Sequence, residues 1–399
     1  MASMFKSVFL GLLAIACGAL LFGQEQSTMD TASSSTVAYV YAQTKSGINL
    51  YDASSAGKLT LVKGSPFQLS GPGQILVGSN GKYLIMLGAS DLHSYPVAAN
   101  GGIDKQAFQI DTQSYGGSGC DAPTHASELG YTGENVYVLL SYADTDCNAI
   151  QTYAISGDGQ FVFKGDTTVG TGSNFAIGLP TTTGNGKFGY GELFCGYDNC
   201  SCYSTLNLFF SGSQNILHYS STPAIASLPK LPSGYSSWIT SAPPALANDS
   251  TDHIVLAMYA TTDADCEDSS DTTQPQLGSF TPNSKGSLIT TNTSKNMPVI
   301  EEMPSSMSIS PSGKVLAVAL GTGIQFFHFN GAGPVTKFTG IIGSSGYITT
   351  MQWDKSNHLY AINGAAGKVH VYTVTTTSVE EAAGSPYSVG ATGLVVAGP

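Results

Sequence analysis

The sequence predicts an all-β chain folded as a seven-bladed β-propeller, closed by pairing of its C-terminal strand with the N-terminal blade. Three observations carry this. First, from Val37 to Pro399 short apolar or alternating runs are divided by Gly, Asn, Asp and Ser turns, with no long apolar stripe of helical period. Second, one strand pattern recurs seven times: "VAYVYAQ" near Tyr39, "GKYLIML" near Tyr83, "ENVYVLL" near Val136, "GKFGYGEL" near Phe188, "DHIVLAMYA" near Ile254, "GKVLAVAL" near Val315 and "NHLYAING" near Leu359. The steps between them, 44 to 66 residues, suit four-stranded blades of about 40–50 residues, the longer ones carrying loop insertions. Third, the ending "TGLVVAGP" is an apolar strand without a following partner.

The recurrent pattern is the second strand of each blade, and the other strands follow in order. Third strands read "INLYDAS", "LHSYPVA", "AIQTYAIS", "TLNLFFSG", "QLGSFTPN", "IQFFHFNG" and "VHVYTVTT". Fourth strands are expected within "GKLTLVKGSPF", "GGIDKQAFQI", "GQFVFKGDTTV", "SQNILHYSS", "GSLITTNTS", "GPVTKFTGIIG" and "TSVEEAAGSPY". Six units carry an innermost strand ahead of the second: "GQILVGSN", "THASELGYTG", "NFAIGLPTTTG", "PALANDS", "SMSISPSG" and "TTMQWDKS". The first unit opens at Val37 directly on its second strand, so residues 392 to 398 of "TGLVVAGP" supply its innermost strand. A ring closed in this way leaves no long strand edge exposed to aggregation.

Ahead of the repeats, "MASMFKSVFLGLLAIACGALLFGQEQ" has one lysine, an apolar run from Val8 to Phe22 and polar residues beyond. This predicts a secretory signal over 1–23, a polar linker over 24–36 and the propeller over 37–399. About 15 apolar residues fall short of the ~20 that a spanning helix needs, so no transmembrane span is expected. "LAIAC" is an imperfect lipoprotein-type cleavage site, which leaves a lipid anchor at Cys17 as the alternative to a secreted or periplasmic chain. Charged residues make up only 11%, against roughly 25% in typical soluble proteins, so Ser, Thr, Gly, Asn and Tyr must solvate the surface. All 15 basic residues are lysines, and the net charge is -12. Nucleic acid and anionic lipid are poor partners for such a chain, because both demand clustered cations.

The seven-unit pattern, with its "GSPF" and "SPSGKVLAVA" phrases, resembles the lactonase-type seven-bladed propeller family, which includes propeller-type 6-phosphogluconolactonases. The resemblance implies a site at the channel mouth. "DAPTHASELGY" puts His125 where the family has a Pro-His segment, and "GYGELF" puts Glu192 at the family's Glu-Leu strand end one blade later. In a lactonase these two would serve as general base and hydrogen-bonding partner for the attacking water. Two departures stand against that activity. Asn174 and Phe175 occupy the place of the family's Arg-His pair, and "MYATTDADCEDSS" is acidic where another arginine is usual. Arginine forks hold phosphate and stabilise a lactone oxyanion, and one lost oxyanion donor typically costs about 10²–10³ in rate.

Setting Cys17 aside, Cys120, Cys147, Cys195, Cys200, Cys202 and Cys266 form an even set, which in an exported chain predicts disulfides. Proximity favours Cys120 with Cys147, Cys195 with Cys200 or Cys202, and Cys266 with the remaining one; other pairings and a zinc site stay open. All six fall in second-to-third or fourth-to-first loops of blades 3 to 5, on the face that His125 and Glu192 approach. "DADCEDSSD" gathers Asp263, Asp265, Glu267, Asp268 and Asp271 without the Gly-centred turn and terminal Glu of a calcium loop, which makes a solvated acidic loop the expectation. "GNGKFG" matches G-x-G-x-x-G but opens a strand and not a helix, so it predicts no dinucleotide site. Asn199, Asn248 and Asn292 stand in N-x-S/T sequons. The function expected is an exported, non-enzymatic propeller that binds a small molecule or protein on a disulfide-braced face, without cofactor or metal. The alternative is a lactonase or hydrolase for a neutral lactone, using His125 and Glu192.

Overall fold

The computed structural model describes residues 35–69, 73–78, 81–112, 125–132, 135–141, 148–169, 175–177, 180–195, 205–212, 215–240, 246–262, 272–343 and 346–399, with the backbone alone at 125, 127, 132, 141, 169, 175–177, 192–195, 205 and 207. These residues form seven antiparallel sheets in the arrangement of a seven-bladed propeller. Each sheet runs outward from an inner strand to a fourth strand at the rim. Blade 1 is composite: from the rim inward it orders Leu59–Leu61, Gly47–Ser54, Thr36–Thr44 and Gly393–Ala397. The closing strand pairs antiparallel with the second, with Tyr39 opposite Ala397, Tyr41 opposite Val395 and Gln43 opposite Gly393. Thr392 N–H donates to the Gln43 carbonyl at 2.8 Å, and Val396 N–H to Gln352 Oε1 of blade 7 at 2.9 Å.

The two "GSP-aromatic" phrases do one job in two blades. Ser65 Oγ accepts the Leu50 N–H at 3.1 Å, and Ser385 Oγ accepts the Val371 N–H at 2.9 Å. Each serine thus satisfies a third-strand donor where the fourth strand has broken off. The aromatic that follows rejoins the third strand, Phe67 bridging to Ile48 and Tyr387 pairing with Val369.

The core is distributed as clusters at the blade interfaces. Alternate residues of a strand point to opposite faces of its sheet, so every second strand is buried on both sides. Val40 packs toward blade 7 with Ile362 and Val371, while its neighbour Tyr41 packs toward blade 2 with Leu84 and Tyr95. Among the described residues the smallest cluster lies between blades 3 and 4: Tyr137, Leu139, Ile150, Phe209 and Leu217.

Polar latches tie neighbouring blades together. Second-strand tyrosines donate to carbonyls in the third-to-fourth turn of the next blade: Tyr41 to Gly101 at 2.8 Å, Tyr83 to Gly157 at 2.9 Å, Tyr137 to Asn215 at 2.8 Å and Tyr190 to Gly286 at 2.6 Å. Asn215 has φ 57°, Gly101 76° and Gly286 88°, a backbone region that glycine and asparagine enter most readily.

The inner strands of blades 4 and 5 are interrupted. In blade 4 the pieces are Phe175–Ile177 and Thr181–Thr182, and the register against the second strand advances by one residue between them, from Ile177 opposite Leu193 to Thr181 opposite Tyr190. Pro180, which has no N–H to give the ladder, stands at the break, a place that suits proline. In blade 5 the expected piece Leu246–Asn248 is present, and Ser237–Thr240 pairs with the same second strand upstream of it.

Candidate functional site

His125 is the first residue of the blade 3 inner strand, His125–Thr132, opposite Ser141, the last residue of the second strand. Glu192 lies in the blade 4 second strand, Phe188–Cys195, opposite Leu206. Both backbones thus sit toward the end of their blades where second and third strands connect. Their side chains lie outside the described residues. So do Asn174, the acidic loop from Asp263 to Asp271, Asn199, Cys120, Cys147, Cys200, Cys202 and Cys266, while Cys195 is described only as the last backbone position of its strand, opposite Phe175.

A cavity of about 660 Å³ lies on the channel side of these same blades. One wall is the remainder of the blade 3 inner strand, Glu128 to Tyr131, with Tyr137 behind it. The facing wall is the lower inner strand of blade 4 from Pro180 to Gly184, and Gln74 of blade 2 and Asn248 of blade 5 complete the lining.

The walls are held by hydrogen bonds that also orient their polar groups. The Leu129 N–H donates to Gln74 Oε1 at 2.7 Å, and Asn248 Nδ2 donates to the Thr182 carbonyl at 2.5 Å. Asn185 of the blade 4 turn binds Asp252 of blade 5 through its backbone N–H at 3.0 Å and through its side-chain amide. At Gly184 a Cβ would stand 2.4 Å from the Ser250 carbonyl oxygen, so the "GNGKFG" stretch is a turn pressed against blade 5. Among the described lining residues Glu128 is the sole carboxylate and there is no lysine.

A second cluster has the residue types of an acid–base relay but not the access. Asp354 Oδ2 meets His358 Nδ1 at 2.7 Å and accepts the Tyr360 hydroxyl at 2.9 Å, while its Oδ1 accepts the Ser356 and His358 N–H groups at 2.8 Å each. Burial, then the neighbouring Asp354 charge, raises the Tyr360 phenol far above its usual range. The side chains of His358 and Asp354 are 2% and 1% exposed, so no substrate reaches them. Asp249 and His253 repeat the turn in blade 5, where Asp249 Oδ1 accepts the Thr251 and His253 N–H groups at 2.8 Å each. Burial pushes the Asp249 carboxyl up, and the hydrogen bonds from Thr251 and His253 outweigh it and hold the carboxyl below its ordinary value. Both clusters brace first-to-second-strand turns.

Two of the three sequons are built into the fold. Asn248 Nδ2 is engaged with Thr182, and Asn292 is 4% exposed with Oδ1 accepting the Ser279 N–H at 2.8 Å. Among the described residues no group of three or more His, Cys, Asp or Glu is placed to hold a metal, and no helix is long and apolar enough to cross a membrane.

The closed ring of seven four-strand blades is the architecture of the lactonase-type seven-bladed propellers. A provisionally assigned 6-phosphogluconolactonase from Bacteroides fragilis superposes with a TM-score of 0.57 at 14% identity, over 92% of this chain and 99% of that one. A Lactobacillus plantarum protein superposes with a TM-score of 0.56 at 11% identity, over 90% and 98% of the two chains. A functionally unknown protein from Desulfotomaculum acetoxidans gives 0.52 at 11% identity, over 91% and 99%. No protein-family model matches the chain, and no curated protein sequence does. At these identities the likeness is one of fold, and a fold hosts many functions.

Proposed function

We propose that this chain is an exported propeller that binds a ligand without turning it over, and that the cavity beside blades 3 and 4 is its binding site. The observation that carries this reading is the described lining, in which one carboxylate stands among neutral polar groups and no cation is found. Opening a phosphorylated lactone requires holding a dianion while further negative charge develops on the lactone oxygen, and both tasks favour fixed cations. The chain has no arginine with which to supply them. The N-terminal apolar segment supports export, and pairing of Cys120, Cys147, Cys195, Cys200, Cys202 and Cys266 would brace the loops above the same blades. A lactonase for a neutral lactone, with His125 and Glu192 as its polar pair, is the second reading; the resemblance of their flanking motifs favours it.

The deciding experiment is the hydrolysis of 6-phosphogluconolactone at neutral pH. The expected result is no acceleration over the spontaneous rate. Saturable turnover that disappears in Glu192→Gln would overturn the binding reading, and turnover of an uncharged lactone lost in His125→Ala would establish the second.

A further inference from the structure

A second cavity, of about 320 Å³, opens beside the closure of the ring, where the second and third strands of blade 1 connect and face blade 2. Ile48 and Met86, both buried, and the partly buried Leu69 give it an apolar floor. Lys45 and Ser46, the two exposed residues of the connecting turn between Thr44 and Gly47, line it together with Gln68. Lys45 is the one charged residue of the described lining and has no ion-pair partner among the described residues. Hydrogen bonds fix which polar atoms remain. Thr44 Oγ1 donates its one hydrogen to the Gly47 carbonyl at 2.9 Å, so in its 3.0 Å contact with Ser46 the Ser46 hydroxyl is the donor, and Ser46 Oγ is left as an acceptor. A backbone carbonyl only accepts, so the 2.5 Å bond from Gln68 Nε2 to the Ser46 carbonyl leaves Gln68 Oε1 as a second acceptor.

We infer that this cavity binds an aliphatic acid with a hydrogen-bond donor on the carbon next to its carboxylate, that is, a 2-hydroxy or 2-amino acid; the site is separate from the cavity beside blades 3 and 4. Lys45 meets the carboxylate through a charge-assisted bond. The adjacent hydroxyl or ammonium donates to Gln68 Oε1 and Ser46 Oγ, and the aliphatic chain leaves water against Ile48, Leu69 and Met86. Gln68 and Ser46 are held by bonds made without the ligand, which lowers the ordering cost of binding. A volume of about 320 Å³ stands at the small end of the roughly 300–1,000 Å³ of small-molecule sites, which suits a ligand of this size. Occupancy is also tied to closure. Gln43 lines the same cavity, accepts the Thr392 N–H of the closing strand at 2.8 Å through its carbonyl, and donates Nε2 to the Gly73 carbonyl of blade 2 at 2.7 Å. A ligand held there touches blades 1 and 2 at once and binds only the folded chain, so the melting temperature rises with its concentration.

The test is calorimetric titration of the whole chain with L-leucine and its 2-hydroxy analogue as complete ligands, isocaproate without the donor, isoamylamine without the carboxylate, and glycine without the chain. Saturable binding of L-leucine, of its hydroxy analogue or of both is expected, and the tighter of the two identifies the donor. Isocaproate should bind about fivefold more weakly, the scale of one lost hydrogen bond, and isoamylamine and glycine should not saturate. Lys45→Met should weaken binding about tenfold or more, the scale of a lost bond to a charged group, and Gln68→Met should reduce the preference over isocaproate. Lys58→Met, at an exposed lysine in the outer turn of blade 1, should leave the affinity unchanged. Saturation by neither complete ligand would overturn the inference, and so would binding that survives Lys45→Met intact. Isocaproate bound as tightly as the complete ligands would overturn the ligand class, and binding of isoamylamine alone would overturn the role of Lys45. None of these outcomes bears on the lactone assay, which decides the reading of the cavity beside blades 3 and 4.

Discussion

Tyr41 of blade 1 donates its phenolic hydrogen to the carbonyl of Gly101 in the outer turn of blade 2, 2.8 Å away and fully buried. The bond joins residues 60 positions apart and recurs at three further blade boundaries. Tyr41→Phe removes the donor and strands a buried carbonyl, so it should cost about 0.5–1.5 kcal/mol, or up to ~3 if no water replaces the hydroxyl. Tyr190→Phe, at a distant boundary, should add to it independently. Urea midpoints of the two single variants and the double variant check this. A Tyr41→Phe chain as stable as the parent would show that the latch contributes nothing.

Glycine substitutions separate backbone strain from steric conflict. Gly101 and Gly313 both have positive φ, 76° and 64°. A Cβ at Gly101 would stand 2.5 Å from Cδ1 of the Tyr39 ring, whereas at Gly313 nothing lies within 4 Å. Tyr39 cannot swing away freely, because its hydroxyl is tied to the Ala99 carbonyl at 2.9 Å. Gly313→Ala should cost only the left-handed backbone term, about 1–2 kcal/mol. Gly101→Ala should cost distinctly more, and thermal melting of the pair decides it; equal losses would put the whole effect in the backbone.

Deleting residues 392–399 removes the inner strand of blade 1 and bares the edge of Thr36–Thr44. Exposed long edges promote association, so the truncated chain should aggregate or unfold without cooperativity. Light scattering and calorimetry read the outcome. A truncated chain that melts as the parent does would refute closure by this strand.

Alkaline pH should destabilise the ring through its phenols. Burial, followed by nearby negative charge, raises Tyr190 (Asp252), Tyr360 (Asp354) and Tyr372 (Glu381), and burial with the neighbouring Tyr39 raises Tyr41. Above the unfolded value of about 10, the unfolded chain releases protons that these folded phenols retain. Their contribution to stability is therefore complete below about pH 10 and is lost as pH climbs through the folded values. Melting temperature should fall above that pH, with late tyrosinate absorbance appearing together with unfolding. Gradual ionisation of every tyrosine near pH 10 in a chain that stays folded would contradict this.

The second, third and fourth strands were legible because each leaves a local mark: an apolar run, a glycine turn, or a serine ahead of proline. Closure was legible too, since a strand pattern without a partner implies one elsewhere. The upstream inner piece of blade 5, Ser237–Thr240, left no such mark. Its four residues precede "SAPPA", upstream of the "PALANDS" stretch taken as the inner strand, and pairing with Met258 to Thr261 is a tertiary fact. Glu128 sat three residues past His125 in a stretch already read for its histidine. Its place in a cavity depends on Thr181 and Asn248, which other blades bring to it. Residue spacing within one strand carries no information about that distance.

The composite blade also sets a clock. Thr392 and Gln43, which meet where the ring closes, are 349 residues apart in the chain. At about 5–20 residues per second, roughly 20–70 s of synthesis separate them. Throughout that interval blade 1 lacks its inner strand, and every later blade that folds does so on an open arc with an uncovered sheet face at each end. A chain kept unfolded until its last repeat has been made avoids that exposure.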